Sequence, residues 1–230
     1  MISVFSTKKL SAAQKSTLLA CNITLVEADL IQITYLQTAV NTVNPAVIFT
    51  SQHAVQALIY QNLVDKLNGK VIFCVGEKTA EKLNHLGFNV ANVSHSAAAL
   101  VESLKLLSFQ SFTFFCGKQR LDTIPEFLAT QTENSNFYEL YETTEFPLKV
   151  NRSFDALLFF SPSAVKSFLQ YNPISTEVCV CIGETTATAL ENRTDKIVLA
   201  KAPTIENTIY ALLKYFKLAP SRAAKNQIHD

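Results

Sequence analysis

The sequence predicts an α/β protein: two similar three-layer α/β/α domains with parallel sheets, arising from an internal duplication, joined by a two-stranded linker and framing a ligand cleft. Three observations carry that expectation. Blocks of the first half recur in the second half in the same order. The recurring blocks open on short, continuous apolar runs. Each run then passes through a polar turn into apolar positions at helical spacing.

The repeat is read directly from the residues. Ala46–Leu58 holds Phe49-Thr50-Ser51 followed by Ala54-Val55, and Ala156–Leu169 holds Phe159-Phe160-Ser161 followed by Ala164-Val165, so Ser161 lies 110 residues beyond Ser51. Val71–Ala80 carries Cys74-Val75-Gly76-Glu77 and then Thr79-Ala80. Val178–Ala187 repeats this as Cys181-Ile182-Gly183-Glu184 and Thr186-Ala187, at a spacing of 107. Ile2–Lys8 resembles Phe112–Lys118 more weakly, again 110 apart.

The elements follow in order. Ala46–Thr50, Val71–Val75, Ala156–Phe160 and Val178–Ile182 read as strands, because apolar runs without alternation suit parallel sheets covered on both faces. Val55, Leu58 and Ile59 mark a helix after the first run; Ala164, Val165, Phe168 and Leu169 mark its counterpart. Ser51 and Ser161 stand where an N-cap oxygen accepts an orphan backbone N–H. Thr79 and Thr186 hold the corresponding place behind Gly76 and Gly183. Those glycines are expected to supply positive φ or close backbone approach at a tight strand-to-helix reversal. Pro203-Thr204 opens a last helix with Ile205, Ile209, Leu212, Leu213 and Phe216 on one stripe. Strand–helix alternation implies parallel pairing through right-handed crossovers. Leu30–Leu36 and Phe137–Thr143 are β-rich but lead into polar stretches, so they read as strands connecting the domains. Ser221–Asp230 has little apolar content and is expected to fray.

Composition narrows the function. A net charge of +1 gives no global field to recruit nucleic acid or an anionic membrane, so an anionic ligand must be held by local donors. No apolar stretch is long enough to span a bilayer, and Ile2–Phe5 is too short for a secretory signal. The odd cysteine count, 5, fits free thiols in a reducing compartment, and the expected location is the cytoplasm. The 5 glycines are not spaced as a dinucleotide fingerprint or a P-loop, and the 4 histidines lack metal-ligand spacing. No G-x-S-x-G elbow occurs. The expectation is a chain without cofactor or metal, acting as a monomer on a small molecule.

In open α/β sheets the binding crevice lies at the carboxyl ends of the strands, where helix N-termini favour anions. Ser6-Thr7-Lys8, Thr50-Ser51, Gly76–Thr79, Cys116–Arg120, Ser161-Pro162-Ser163 and Gly183–Thr186 should surround it. Each hydroxyl serves equally as a plain helix cap. His53 reads as a residue of the crevice rim, since no carboxylate is visible to orient it as a base. Tyr141, in the second connecting strand, is either a half-buried packing aromatic or a proton donor to a leaving hydroxyl.

Phe49-Thr50-Ser51 with Ala54-Val55, Val75-Gly76 with Thr79-Ala80, Leu140-Tyr141-Glu142-Thr143, Phe160-Ser161-Pro162-Ser163-Ala164-Val165 and Ile182-Gly183 with Thr185-Thr186-Ala187 together resemble uroporphyrinogen-III synthase. The resemblance runs to about Leu218. It implies that the domains are not the two repeats. One would comprise 1–31 and 145–220, the other 37–138, with 32–36 and 139–144 as linker strands and 221–230 as a tail. It implies cyclisation of hydroxymethylbilane, a linear tetrapyrrole, to uroporphyrinogen III, with inversion of the last pyrrole ring and loss of water. It also places Ser51, Thr79, Ser161, Thr185 and Thr186 at the cleft and makes Tyr141 the residue that assists departure of the hydroxyl. Lys118 and Arg120 are expected to contact carboxylates, on charge and position, and Ser163 and His53 to join the binding set. His53 departs from the family pattern, where asparagine or arginine is common. The alternative is a non-catalytic binding or sensor protein for a tetrapyrrole or other polycarboxylate.

Overall fold

A computed structural model describes residues 1–131 and 134–218. The expected frayed tail, and the last two residues of the expected first domain, lie outside the described residues. In chain order the elements are β1 (Ile2–Ser6), α1 (Ala12–Leu19), β2 (Ile23–Glu27), β3 (Ile31–Tyr35), β4 (Ala46–Phe49), α2 (Gln52–Tyr60), β5 (Val71–Val75), α3 (Glu77–His85), β6 (Val90–Ser94), α4 (Ala97–Lys105), β7 (Phe112–Gly117), α5 (Thr123–Gln131), β8 (Asn136–Glu145), β9 (Ala156–Phe159), α6 (Pro162–Leu169), β10 (Val178–Cys181), α7 (Glu184–Thr188), β11 (Ile197–Leu199) and α8 (Ile205–Tyr215). A short 3-10 turn at Val64–Leu67 precedes β5.

The chain forms two compact units: Met1–Gln32 with the chain from Thr144 onward, and Ile33–Thr143. It passes from one to the other twice, within β3 and within β8. The first unit has the sheet order β11-β10-β9-β1-β2, and the second β3-β8-β7-β4-β5-β6. Pairing is parallel from β2 through β11 and from β8 through β6. The sequence blocks fall on matching places. β1, β9 and β10 are followed in register by the same neighbours as β7, β4 and β5, so both units follow one strand order. One register detail is shared: Ser6 lies opposite Glu27, and Cys116 lies opposite Glu139.

The continuous apolar runs work as expected of strands covered on both sides. In the second unit Val47 and Phe49 pack with Ala54, Val55 and Leu58 of α2 and Leu83 of α3. Their strand neighbours Ala46 and Ile48 face Leu100 and Leu104 of α4 and Ile124 and Phe127 of α5. In the first unit Val4, Ala156 and Leu158 meet α1 and α8 through Leu18, Ile209 and Leu212. Phe5, Leu157 and Phe159 meet α6 and α7 through Val165, Phe168 and Ala187. Each fully buried Phe or Leu contributes about 1.5–3 kcal/mol of transfer free energy. Burial along both faces therefore selects the parallel sheet.

Two local expectations need correction. Thr79 and Thr186 are not caps: Gly76 and Gly183 hold the N-cap positions, and the threonines sit one turn further in, both buried. Gly76 does take a positive φ of 83°, as a tight reversal requires. Gly183 instead has extended backbone, and a Cβ added there would meet nothing within 4 Å. The Phe137–Thr143 segment is more than a connector, because β8 begins as a full parallel neighbour of β7, with Phe114 opposite Phe137 and Phe115 opposite Tyr138.

Candidate functional site

The carboxyl ends of β4, β5 and β7 form one edge of the second unit, and β8 runs past them. β4 ends in Phe49 and hands over to Ser51, whose Oγ accepts the His53 N–H at 3.1 Å and caps α2. Such a cap is worth about 1 kcal/mol. It also fixes the serine side chain at the strand end. His53, in the first turn of α2, lies with its ring 5.6 Å from the Tyr141 ring at 52°.

Tyr141 reaches this edge through an irregularity in the sheet. Along β7 and β8 the partners advance together until Cys116 meets Glu139; then Gly117 meets Tyr141, skipping Leu140. A slip of one residue turns the side chain to the other face of a strand. Here it brings the phenol over Gly117 and beside Ser51. Tyr141 is 8% exposed. Burial pushes its phenol above the ordinary value, hydrogen bonding with the Ser51 side chain pulls the other way, and the nearby Cys116 adds a smaller upward push. Ser51 Oγ already accepts from His53, so its own hydrogen is available to the phenol oxygen.

The turn after β7 is tied down by charge pairs. Lys118 N–H donates to Tyr141 O at 2.9 Å, and Lys118 Nζ pairs with Glu142 at 2.9 Å, which raises the lysine pKa. Arg120 Nη1 donates to Glu139 Oε1 at 2.6 Å and to the carbonyls of Gly117 and Lys118 at 3.1 and 3.3 Å. Its guanidinium also lies 4.8 Å from the centre of the Phe137 ring. Arg120 is thus spent on holding β7 to β8, while Lys118 keeps its ammonium half exposed. Burial pushes the adjacent Cys116 thiol up to about 12, so it is inert near neutrality.

The structure brings Ser51, His53 and Tyr141 together and sets Lys118 on the same strand-end edge. Thr79 lies at the neighbouring end of β5, buried in the first turn of α3. The remaining expected residues belong to the matching edge of the first unit. Ser161 Oγ accepts the Ala164 N–H at 3.1 Å, Ser163 is partly exposed, Thr185 is exposed and Thr186 is buried. At the end of β1, Thr7 Oγ1 donates to Leu158 O at 2.8 Å and is fully occupied inside the fold. Gly117 lies within the Cys116–Arg120 segment expected at the crevice, but its residue type alone does not announce a role. Its signal was present in the repeat, where Thr7 and Gly117 hold the same place in the matched blocks. Among the described residues, no group of His, Cys, Asp or Glu could hold a metal ion, and no helix is long and apolar enough to cross a membrane.

The fold and its edges define a class: two parallel-sheet α/β units, each lined with hydroxyls at its strand ends, one of them holding a buried phenol. A family model described as uroporphyrinogen-III synthase HemD matches residues 15–209. Among solved structures, uroporphyrinogen-III synthetase from Helicobacter pylori is 20% identical, with 94% of this chain and 100% of that chain covered and a TM-score of 0.69. A mutant uroporphyrinogen III synthase from Thermus thermophilus is 15% identical, covers 94% of this chain and 98% of its own, and also has a TM-score of 0.69. No curated protein sequence matches the chain. The chain belongs to the uroporphyrinogen-III synthase family. It is a cyclising lyase of haem biosynthesis, converting hydroxymethylbilane to uroporphyrinogen III with inversion of the last pyrrole ring and loss of water.

Proposed function

We propose that Tyr141 is the acid that assists departure of the hydroxyl from hydroxymethylbilane, with Ser51 donating to the phenol oxygen as its proton leaves. The observation that carries this is the Ser51–Tyr141 pairing at a strand-end edge, on a phenol whose pKa lies above its ordinary value. A phenol so placed is fully protonated near neutrality and can hand its proton to an oxygen within hydrogen-bond reach. The Ser51 hydrogen then stabilises the phenolate that forms. Water leaves, and the carbon that loses it becomes the electrophile for ring closure.

The substrate's carboxylates require donors. Lys118 and the Thr79 hydroxyl are the candidates on the second unit, with Ser161, Ser163, Thr185 and Thr186 on the first. Helix N-termini at these positions add favourable dipoles for anions. His53, beside the phenol, gains affinity for a carboxylate when protonated. The family implies a tetrapyrrole substrate, and a cytoplasmic location is supported by five buried free thiols.

The pH dependence tests the assignment. A donor works while protonated, so turnover should stay level through neutrality and fall only in the alkaline range, where the phenol, its pKa raised by burial, loses its proton. Tyr141→Phe should lack that alkaline limb. Initial rates of both proteins across pH, with spontaneous cyclisation subtracted, give the comparison. An identical alkaline limb in the variant would contradict the proposal.

A further inference from the structure

We infer that Gly117 is a positioning residue for Tyr141: its missing side chain is the seat in which the phenol ring lies. A Cβ added at Gly117 would stand 2.6 Å from Tyr141 Cζ, 2.7 Å from Cε2 and 3.0 Å from Oη. Those distances are well inside carbon–carbon contact, and a rigid aromatic ring has no flexible end to swing away. Backbone conformation does not explain this glycine. Gly69, Gly76 and Gly87 have positive φ, and Gly117 does not. Room for the ring explains it.

The surroundings tie that seat to the catalytic edge. The register slip places Tyr141, and no other residue of β8, opposite Gly117. Lys118 N–H holds the Tyr141 carbonyl, and Thr143 N–H donates to Gln119 Oε1 at 2.9 Å. Arg120 bridges the Gly117 and Lys118 carbonyls to Glu139. The backbone on both sides of the ring is therefore fixed, and a methyl group at Gly117 must displace the phenol itself. In the matched block of the first unit the same place is Thr7, whose hydroxyl packs onto Leu158 O. The absent side chain is thus specific to the copy that holds the tyrosine.

The inference rests on Tyr141 as the acid, and two mutant cycles separate it from that reading. Gly117→Ala should lower kcat by about ten- to a hundredfold, the scale of a misplacement near 1 Å, with KM changed by less than about twofold. In a Tyr141→Phe background the same substitution should lower kcat no further, because the displaced oxygen is already gone. A purely structural role would lower it equally in both backgrounds, and that result would overturn the inference.

The second cycle reads packing alone. Gly117→Ala should lower Tm by roughly 5 °C. In a Tyr141→Ala background, where no ring occupies the seat, that loss should disappear. If Gly117→Ala fails to fold, the double variant should fold. A loss of Tm, or of folding, that persists without the ring would overturn the inference. Wild-type turnover in Tyr141→Phe would sink the acid assignment alone, leaving the packing cycle to decide the seat.

Discussion

Tyr141→Phe is expected to lower turnover by about ten- to a hundredfold, the range typical of losing one general acid. That corresponds to about 1.4–2.7 kcal/mol of barrier. The substitution is conservative in every respect but one. Phenylalanine keeps the ring over Gly117 and beside His53, where the centroids are 5.6 Å apart, and removes only the oxygen paired with Ser51. Binding should hardly change, because Tyr141 is 8% exposed and the substrate carboxylates have other donors. The effect should therefore fall on kcat and spare KM, the pattern of an interaction made only in the transition state. Initial rates of type III product formation at saturating substrate measure it. Wild-type kcat in the variant would return Tyr141 to a packing role.

Phe115→Ala should destabilise the second unit by about 3–5 kcal/mol, as phenylalanine truncations in packed cores do. Phe115 is fully buried in β7, two residues before Gly117. Its ring stacks on Phe49 at 5.4 Å and on Tyr138 at 5.8 Å, so it joins β4, β7 and β8 beneath the site. Truncation would leave a cavity that these β-strands, fixed by their ladders, cannot close. Against a typical total stability of 5–15 kcal/mol the loss is large. Thermal unfolding should shift down by roughly 10–15 °C. Phe146→Ala is the control: that ring is 59% exposed, and the change should stay within about 0.5 kcal/mol. A shift in Phe115→Ala no larger than in Phe146→Ala would show that the core does not depend on the stack.

Most of the fold was legible because its signals are local. Runs such as Ala46-Val47-Ile48-Phe49 and Val178-Cys179-Val180-Cys181 are buried along both faces, and that demand is written in the residues themselves. Ser51, Ser161 and Thr204 cap the helices that they precede. The errors fall where spacing underdetermines geometry. The repeated Gly-Glu turn does not distinguish Gly76, with positive φ, from Gly183, which is extended, nor does it show that Thr79 and Thr186 lie one turn inside their helices.

The site was legible in residue type but not in wiring. Tyr141 is far in sequence from Ser51 and His53, and its meeting with them depends on a register slip between Cys116 and Gly117 that no apolar pattern encodes. Arg120 looked like a ligand cation because charge and position are visible in a sequence. Its pairing with Glu139 is not, since that pair exists only once β7 and β8 lie side by side. The role of Gly117 is hidden in the sequence because a glycine required for room carries the same letter as one required for a turn.

The central claim is that this chain imposes ring inversion on a substrate whose unguided closure gives the uninverted product. Incubating the protein with freshly generated hydroxymethylbilane, oxidising the products and resolving them by isomer tests it directly. The predicted result is predominantly the type III isomer, formed faster than the background. Type I alone, at the rate seen without protein, would contradict it.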